Sequence, residues 1–297
     1  MHPDDMARRG LVAGDLMQIT NAQGALIAPV RASATLRSGQ AHMAMHWGAE
    51  WLPSGGVNNV LNPAFDPLSK QPELKHSAVR VQPANLAHHM QAFALLPAEH
   101  TYTAFAQLQA AASTLAFASL VRFSAETPDV GERKCDSKKL GVWLHAADHE
   151  PFSSELLDLL KTVFDMQSLA QCVQYADPRS HSLRRMKIEG ESLTAVLLTG
   201  SAAACAAVNW LQPLVAQGTS VRALGASLLK ASAAPPDLVN LAVPASPVVC
   251  TCFSVKQAAI AAGIASAPVG CDVMAHLQST LKCGTQCGSC EIGRAHV

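Results

Sequence analysis

The feature that most constrains this chain lies near its end. Two close thiol pairs, Cys250-x-Cys252 and Cys287-x-x-Cys290, are separated by a stretch long enough for one helical hairpin. Thiolates at C-x-C and C-x-x-C spacing suit either an iron–sulfur cluster or a structural zinc ion. Glycines beside the second pair let the backbone curl around such a centre and aim N–H groups at sulfur. Between the pairs, residues 254–263 have the marks of a short helix. Ser254 is placed to cap it, Val255, Ala258, Ala259 and Ala262 share a face, and Gly263 is placed to stop it. A second helix is predicted over 272–281. Cys283, one helical turn before Cys287, is either a bystander or an alternative ligand.

Nine cysteines in 297 residues do not make a disulfide scaffold. The group near the end, Cys250, Cys252, Cys283, Cys287 and Cys290, favours a metal site in a reducing compartment, and the cytoplasm is expected. Lysine plus arginine balance aspartate plus glutamate at 22 each, so no electrostatic case exists for nucleic acid. Apolar runs fall short of the roughly 18 residues that a membrane helix needs, and no export signal is visible. No membrane partner is expected.

The thiol arrangement resembles the small [2Fe-2S] domain of bacterioferritin-associated ferredoxins, which also ends assimilatory nitrate reductases and certain nitrite reductases. The resemblance implies Cys250, Cys252, Cys287 and Cys290 as cluster ligands within a domain at 248–290.

Residues 1–83 carry a different pattern. A helix over 3–10 and short strands over 16–20, 25–31 and 41–46 are punctuated by Gly and Asn or Asp, which predicts a small β-barrel with one helix. The motif His2-Pro3-Asp4-Asp5-x-Ala7-x-x-x-Gly10-Leu11-x-x-Gly14-Asp15, the run Met45-His46-Trp47-Gly48 and the loop at 58–75 lead into 78–81. Together they resemble the C-terminal domain of molybdopterin-dinucleotide oxidoreductases, a double-psi β-barrel. In that family the long loop lies over the pterin, which implies cofactor contacts for Asn58, Gln71 and Lys75, and for His46 and Trp47. The loop has a physical logic of its own: Pro63, Pro67 and Pro72 are expected to hold it extended, while amides and a lysine offer donors. Its residues could equally cap their own turns.

The middle region, 84–230, reads as α+β. Helices are predicted over 101–115, 153–164, 202–215 and 221–229, a strand over 140–145, and a hairpin from 184–189 and 193–198. The hairpin and the helix that follows loosely resemble the C-terminal module of flavin-linked reductases, without a flavin motif. Residues 129–139 read as an exposed insertion. His145 and His149 are four apart but read as surface histidines, Arg184 and Arg185 as a solvated strand end, and Cys135, Cys172 and Cys205 as ordinary thiols. Residues 231–247, rich in Ala, Pro and Ser, read as a linker.

The two resemblances, in this order, imply an α+β multidomain part of an assimilatory nitrate reductase. Its cofactors would be a [2Fe-2S] cluster and a molybdenum bis(molybdopterin guanine dinucleotide). Electrons from a reductase subunit, ferredoxin or flavodoxin would enter at the [2Fe-2S] cluster and pass by a [4Fe-4S] cluster to molybdenum, where nitrate becomes nitrite. Another molybdopterin oxidoreductase of the formate dehydrogenase type, or a non-catalytic iron–sulfur protein, is the alternative. Neither the [4Fe-4S] cysteine motif nor the molybdenum-ligating segment is recognisable, so no catalytic residue is named. Met1 reads as an internal methionine, and residues 291–297 as a non-native tail that back-translates to a sequencing adapter. The chain is therefore expected to be an inactive fragment.

Overall fold

The structure, a computed structural model, describes residues 1–44, 52, 56–73, 76–124, 139–230, 246, 248–250, 255–268, 270–285 and 290. The expectations for His46, Trp47, Lys75, Cys252, Ser254, Cys287 and residues 291–297, and most of those for 129–139 and 231–247, lie outside the described residues. Helices and antiparallel sheets are mixed, in an α+β arrangement. The chain divides into two units, Met1–Ala233 and Ala234–Val297. Among the described residues no helix is long and apolar enough to cross a membrane.

The first unit begins with α1 (Pro3–Ala7), whose N-terminus His2 caps through its Nδ1. The turn at Gly14 and Asp15 then leads into β1 (Leu16–Thr20), which pairs antiparallel with β2 (Ala25–Pro29) on one side and β3 (Arg80–Pro83) on the other. Residues 41–44, predicted as the start of a strand, are irregular.

Asp5 ties α1 to the loop beyond β2. Its carboxylate is buried and accepts hydrogen bonds from the Gly39 N–H at 2.6 Å and the Ser38 hydroxyl at 3.0 Å, and it pairs with Arg8. The Gly39 bond, helped by Ser38 and Arg8, outweighs the opposing effect of burial and holds the acid below its usual value of 3.8. A carboxyl depressed on folding stabilises the fold above its unfolded value and loses that contribution as pH falls through the folded value. Asp5→Asn is therefore expected to melt several degrees lower at pH 7. Its melting temperature should converge on that of the parent as the pH falls through the folded value. A constant gap across that range in a thermal-melt pH series would show that charge is not what matters.

The larger sheet has six antiparallel strands in the order β5-β6-β4-β9-β8-β7. They are β4 (His88–Pro97), β5 (Phe117–Ser124), β6 (Lys139–Asp148), β7 (Cys172–Asp177), β8 (Ser182–Glu189) and β9 (Ser192–Gly200). One face buries Met90, Ala92, Ala94, Leu120, Val142, Leu144, Ala146, Ala195 and Leu197 under α2 (Ala98–Ala112) and α3 (Ser154–Val163). Alanines supply much of this contact: Ala104 and Ala112 of α2 lie over Ala92, Ala94, Ala118 and Ala146, so the helix can approach the sheet closely. Fully burying a side chain such as Leu108 or Leu144 stabilises the unit by about 2 kcal/mol. Gly141 sits opposite Phe123, whose ring covers it so closely that no Cβ would fit.

The opposite face buries Phe93, Met186, Val196 and Leu198, and α4 (Ala202–Cys205) and α5 (Val208–Gln217) pack against β9 and β4. The single helix predicted over 202–215 is thus two. Arg184 donates to the Ala204 carbonyl at 3.0 Å, the group that a continuous helix would offer to the Val208 N–H. The helix predicted over 221–229 is likewise divided, into a 3-10 turn (Arg222–Leu224) and α6 (Ser227–Lys230), at Gly225 with φ +45°.

Arg184 and Arg185 are not a solvated strand end. Both are buried, on opposite faces of β8. Arg185 donates to the Met166 carbonyl at 2.7 Å, the Gln167 carbonyl at 3.0 Å and the Gln174 side chain at 2.5 Å. Two residues on, buried Lys187 bonds Asp165 at 2.6 Å and Glu189 at 2.8 Å. These side chains fasten the turn that ends α3 to the outer strands. His145 departs from expectation too. It is half-buried edge-on to Phe117, and burial, with a smaller push from His89, takes its imidazole down to about 4.

In the second unit, β10 (Val248–Cys250) pairs antiparallel with β11 (Val255–Lys256), followed by α7 (Gln257–Ala265) and α8 (Val273–Leu281). Val255 therefore lies in a strand and not on the predicted helix face. Gly263 does not stop α7 but lies inside it, where a Cβ would come within 2.7 Å of the Leu277 side chain. Its missing side chain lets the two helices meet. Asp272 caps α8 through the Met274 and Ala275 N–H groups.

Candidate functional site

Two places on the chain bear chemistry, one in each unit. In the first, the 3-10 turn Val57–Val60 is docked onto the β1–β2 hairpin. Asn21 donates to the Val60 carbonyl at 2.7 Å, and Asn59 donates to that of Ala25 at 3.4 Å. Gly24 makes the approach possible, since a Cβ there would lie 2.7 Å from the Asn59 carbonyl oxygen. Asn58 is held on this turn with its side chain exposed.

Further along, the loop is not extended as its prolines suggested. Phe65 and Pro72 pair across a reversal, closed by the Asp66 N–H to the Gln71 carbonyl at 2.9 Å and the Glu73 N–H to that of Ala64 at 2.8 Å. The Asp66 carboxylate collects the Ser69 N–H, the Ser69 hydroxyl and the Leu68 N–H, which hold it below its ordinary value. Lys70 takes a left-handed φ of +60° to complete the turn. Local hydrogen bonds thus override three prolines, because one carboxylate oxygen of the aspartate at the first turn position collects the donors of the turn.

Gln71 lines an open cavity of about 380 Å³ with Ala64, Phe65, Asp66, Pro72 and Glu73. Among the described residues no hydrogen-bond partner is found for the side-chain amides of Asn58 or Gln71. Two of the five expected cofactor contacts are therefore presented outward with their amide donors available. The exposed Phe65 and Leu68 lie on the same loop.

In the second unit the core is itself the candidate centre. Cys250 and Cys283 are each 2% exposed and cluster with Val255, Ile260 and Leu277, and Cys290 packs against them. Burial pushes the Cys290 thiol up, as does its hydrogen-bonding contact with Cys250, while the Gly284 N–H directed at it acts the other way. Gly284 holds φ +85° and Lys282 φ +58°, a pair of left-handed residues that turns the chain back after α8.

Of the four expected ligands the structure brings Cys250 and Cys290 together, and it adds Cys283, which spacing alone left undecided. A sixth cysteine of this region, Cys271, was missed; it lies half-exposed in the turn before α8. Thiols in an apolar core are the donor type that an iron–sulfur cluster takes, but the described ones do not form a coordination set. Among the described residues no three of His, Cys, Asp or Glu are placed to hold a metal ion.

Residues 1–78 match the Molydopterin dinucleotide binding domain. That match supports a molybdopterin cofactor for this part of the chain, and it takes in all five residues expected to contact it. A nitrate reductase of Klebsiella oxytoca is 35% identical over 79 residues, 27% of this chain. The aligned part is 9% of that protein's length.

Proposed function

We propose that this chain serves a molybdenum-dependent assimilatory nitrate reductase, which reduces nitrate to nitrite. It would do so as one wall of the molybdopterin guanine dinucleotide site and as a [2Fe-2S] electron-entry domain. The observation that carries the reading is the match of residues 1–78, present in one chain with the buried Cys250 and the partly buried Cys290 packed against it. In this reading residues 1–83 form a double-psi β-barrel, 84–230 a middle α+β region, 231–247 a linker and 248–290 the iron–sulfur domain. A reductase subunit, ferredoxin or flavodoxin donates the electrons, in the cytoplasm.

Asn58 and Gln71, with Lys75, His46 and Trp47, donate hydrogen bonds to the pterin and its phosphates. Cys250, Cys252, Cys287 and Cys290 hold the cluster, and the Gly284 N–H stabilises negative charge on the Cys290 sulfur. When bound, the two groups supply one-electron transfer and oxygen-atom transfer, chemistry that no side chain of this protein provides. The chain alone is accordingly expected to show no nitrate reduction.

The test is iron, zinc and electron paramagnetic resonance on the chain purified without oxygen. About two irons per chain with a reducible [2Fe-2S] signal is the expected result. Zinc in place of iron would replace the redox reading with a structural staple, leaving only the pterin-binding half.

A further inference from the structure

We propose that β7 is a self-association edge, on which a second copy of this chain pairs antiparallel through the same strand and joins two six-stranded sheets into one. Neither cofactor site takes part in this pairing.

β7 (Cys172–Asp177) borders the sheet, and its inner side pairs with β8 in an unbroken register, from Cys172 opposite Lys187 to Asp177 opposite Ser182. Just before it, the Ile188 N–H donates to the Gln171 carbonyl at 3.1 Å, which fixes the phase of the ladder. Val173, Tyr175 and Asp177 therefore direct their backbone groups at β8, and Cys172, Gln174 and Ala176 direct theirs outward. α6 packs against β7 but leaves Gln174, Tyr175 and Ala176 exposed, Tyr175 by 51%.

Edge strands are ordinarily guarded by a charge, a proline or a bulge. β7 has no proline and no bulge. Its one charged side chain, Asp177, is drawn into the following turn, where it accepts from the Arg179 N–H at 3.0 Å and the Ser180 hydroxyl at 2.8 Å. β5, at the opposite border, carries Arg122. The bond from Arg185 to the Gln174 side chain fixes the middle of β7 before any partner arrives, so little ordering remains to oppose association.

The strand is complementary to itself. With a two-fold axis through Gln174, the Gln174 N–H and carbonyl of one copy meet those of the other, and the Ala176 N–H meets the Cys172 carbonyl. The Cys172 N–H, which turns to the Leu169 carbonyl at 3.4 Å, is not needed. Tyr175 of each copy then lies opposite Val173 of the other at a close, non-bonded position, where an aromatic and a β-branched side chain pack favourably. No like charges face each other, because Asp177 falls opposite Gln171. Sliding the copies so that Ala176 meets Gln174 sets Val173 against the Asp177 carboxylate, which favours the first register.

The test is sedimentation velocity on the whole chain across about 1–100 µM, in reducing buffer so that no disulfide links the copies. The expected result is a monomer–dimer equilibrium with a Kd on the order of 10 µM, since one strand pair buries a small area. Ala176→Pro removes an outward N–H without touching the bonds to β8, and Tyr175→Lys puts a charge where the other copy's Val173 packs. Each should weaken the dimer at least about tenfold, with a melting midpoint within about 3 °C of the parent to show that it folds. Amide exchange in the unsubstituted chain needs no variant: at Gln174 and Ala176 it should slow about fourfold between those two concentrations. A chain that stays monomeric throughout overturns the proposal. So does a dimer that both substitutions leave intact, or exchange at Gln174 and Ala176 that does not depend on concentration.

Discussion

Arg185→Ala is expected to destabilise the six-stranded unit by about 3 kcal/mol, lowering its melting temperature by roughly 6–12 °C. The residue is 5% exposed, and its three bonds reach two carbonyls and one side-chain amide. Removing it leaves the buried Met166 carbonyl with only the weak 3.7 Å contact from the Cys172 thiol, at a cost of about 1–3 kcal/mol, and leaves a void where the arginine stem packed. The Gln167 carbonyl belongs to an exposed residue and can turn to water, which keeps the total from being larger. Lys187 remains to hold Asp165, so the turn after α3 loosens without detaching. Arg185→Lys should recover only part of the loss, because one ammonium cannot reach three acceptors in the geometry of a planar fork. Arg222→Ala is the comparison: that arginine is 82% exposed in its pair with Glu191, and its loss should cost under about 1 kcal/mol. Melting curves of the three variants decide the matter, and equal midpoints for Arg185→Ala and Arg222→Ala would sink the argument.

The same arginines mark where reading the sequence stopped short. A run of Arg, Arg and Lys in a strand looks solvated, because nothing local says that both faces of β8 are covered. The covers come from elsewhere in the chain: the turn at Asp165–Gln167 on one side and α4 on the other. Strands β5 and β7 were missed for a related reason. Both border the sheet, and the alternation of Phe117–Ser124 is blurred by Arg122, whose guanidinium lies over the Tyr102 and Phe105 rings. By contrast, α3 was legible because its signals are local: Ser153 caps it, and Leu156 and Leu160 repeat every four residues toward the core. At the candidate sites, spacing singled out Cys250 and Cys290, which share one small core. Gly263 was misread because a glycine near a helix end is ordinarily a stop, whereas here Leu277, from another helix, occupies the missing side chain's place. The Asp66 turn hid behind its prolines in the same way.

If the second unit holds the proposed cluster, removing the metal is expected to raise amide exchange across α7 and α8 by at least about a hundredfold, equivalent to roughly 3 kcal/mol of lost local stability. The apolar core there is slight. Among the described residues only Val255, Ile260 and Leu277 join the cysteines as buried members, and α7 is built largely of alanine. Small domains with so little apolar surface to bury depend on a staple, and where thiolates bind metal the binding energy becomes folding energy. The thiols make that dependence acute, since Cys250 and Cys283 occupy the centre that a leucine or valine would otherwise fill. Exchange at Leu108 and Leu144, within the core of the first unit, should not change, because their protection comes from the α2–sheet contact. Cys250→Ser should reproduce the effect of metal removal in the presence of iron, since its thiol lies at the heart of the core and in contact with Cys290. If α7 and α8 stay protected after chelation, helix packing around Gly263 suffices to fold the unit, and the metal serves electron transfer alone.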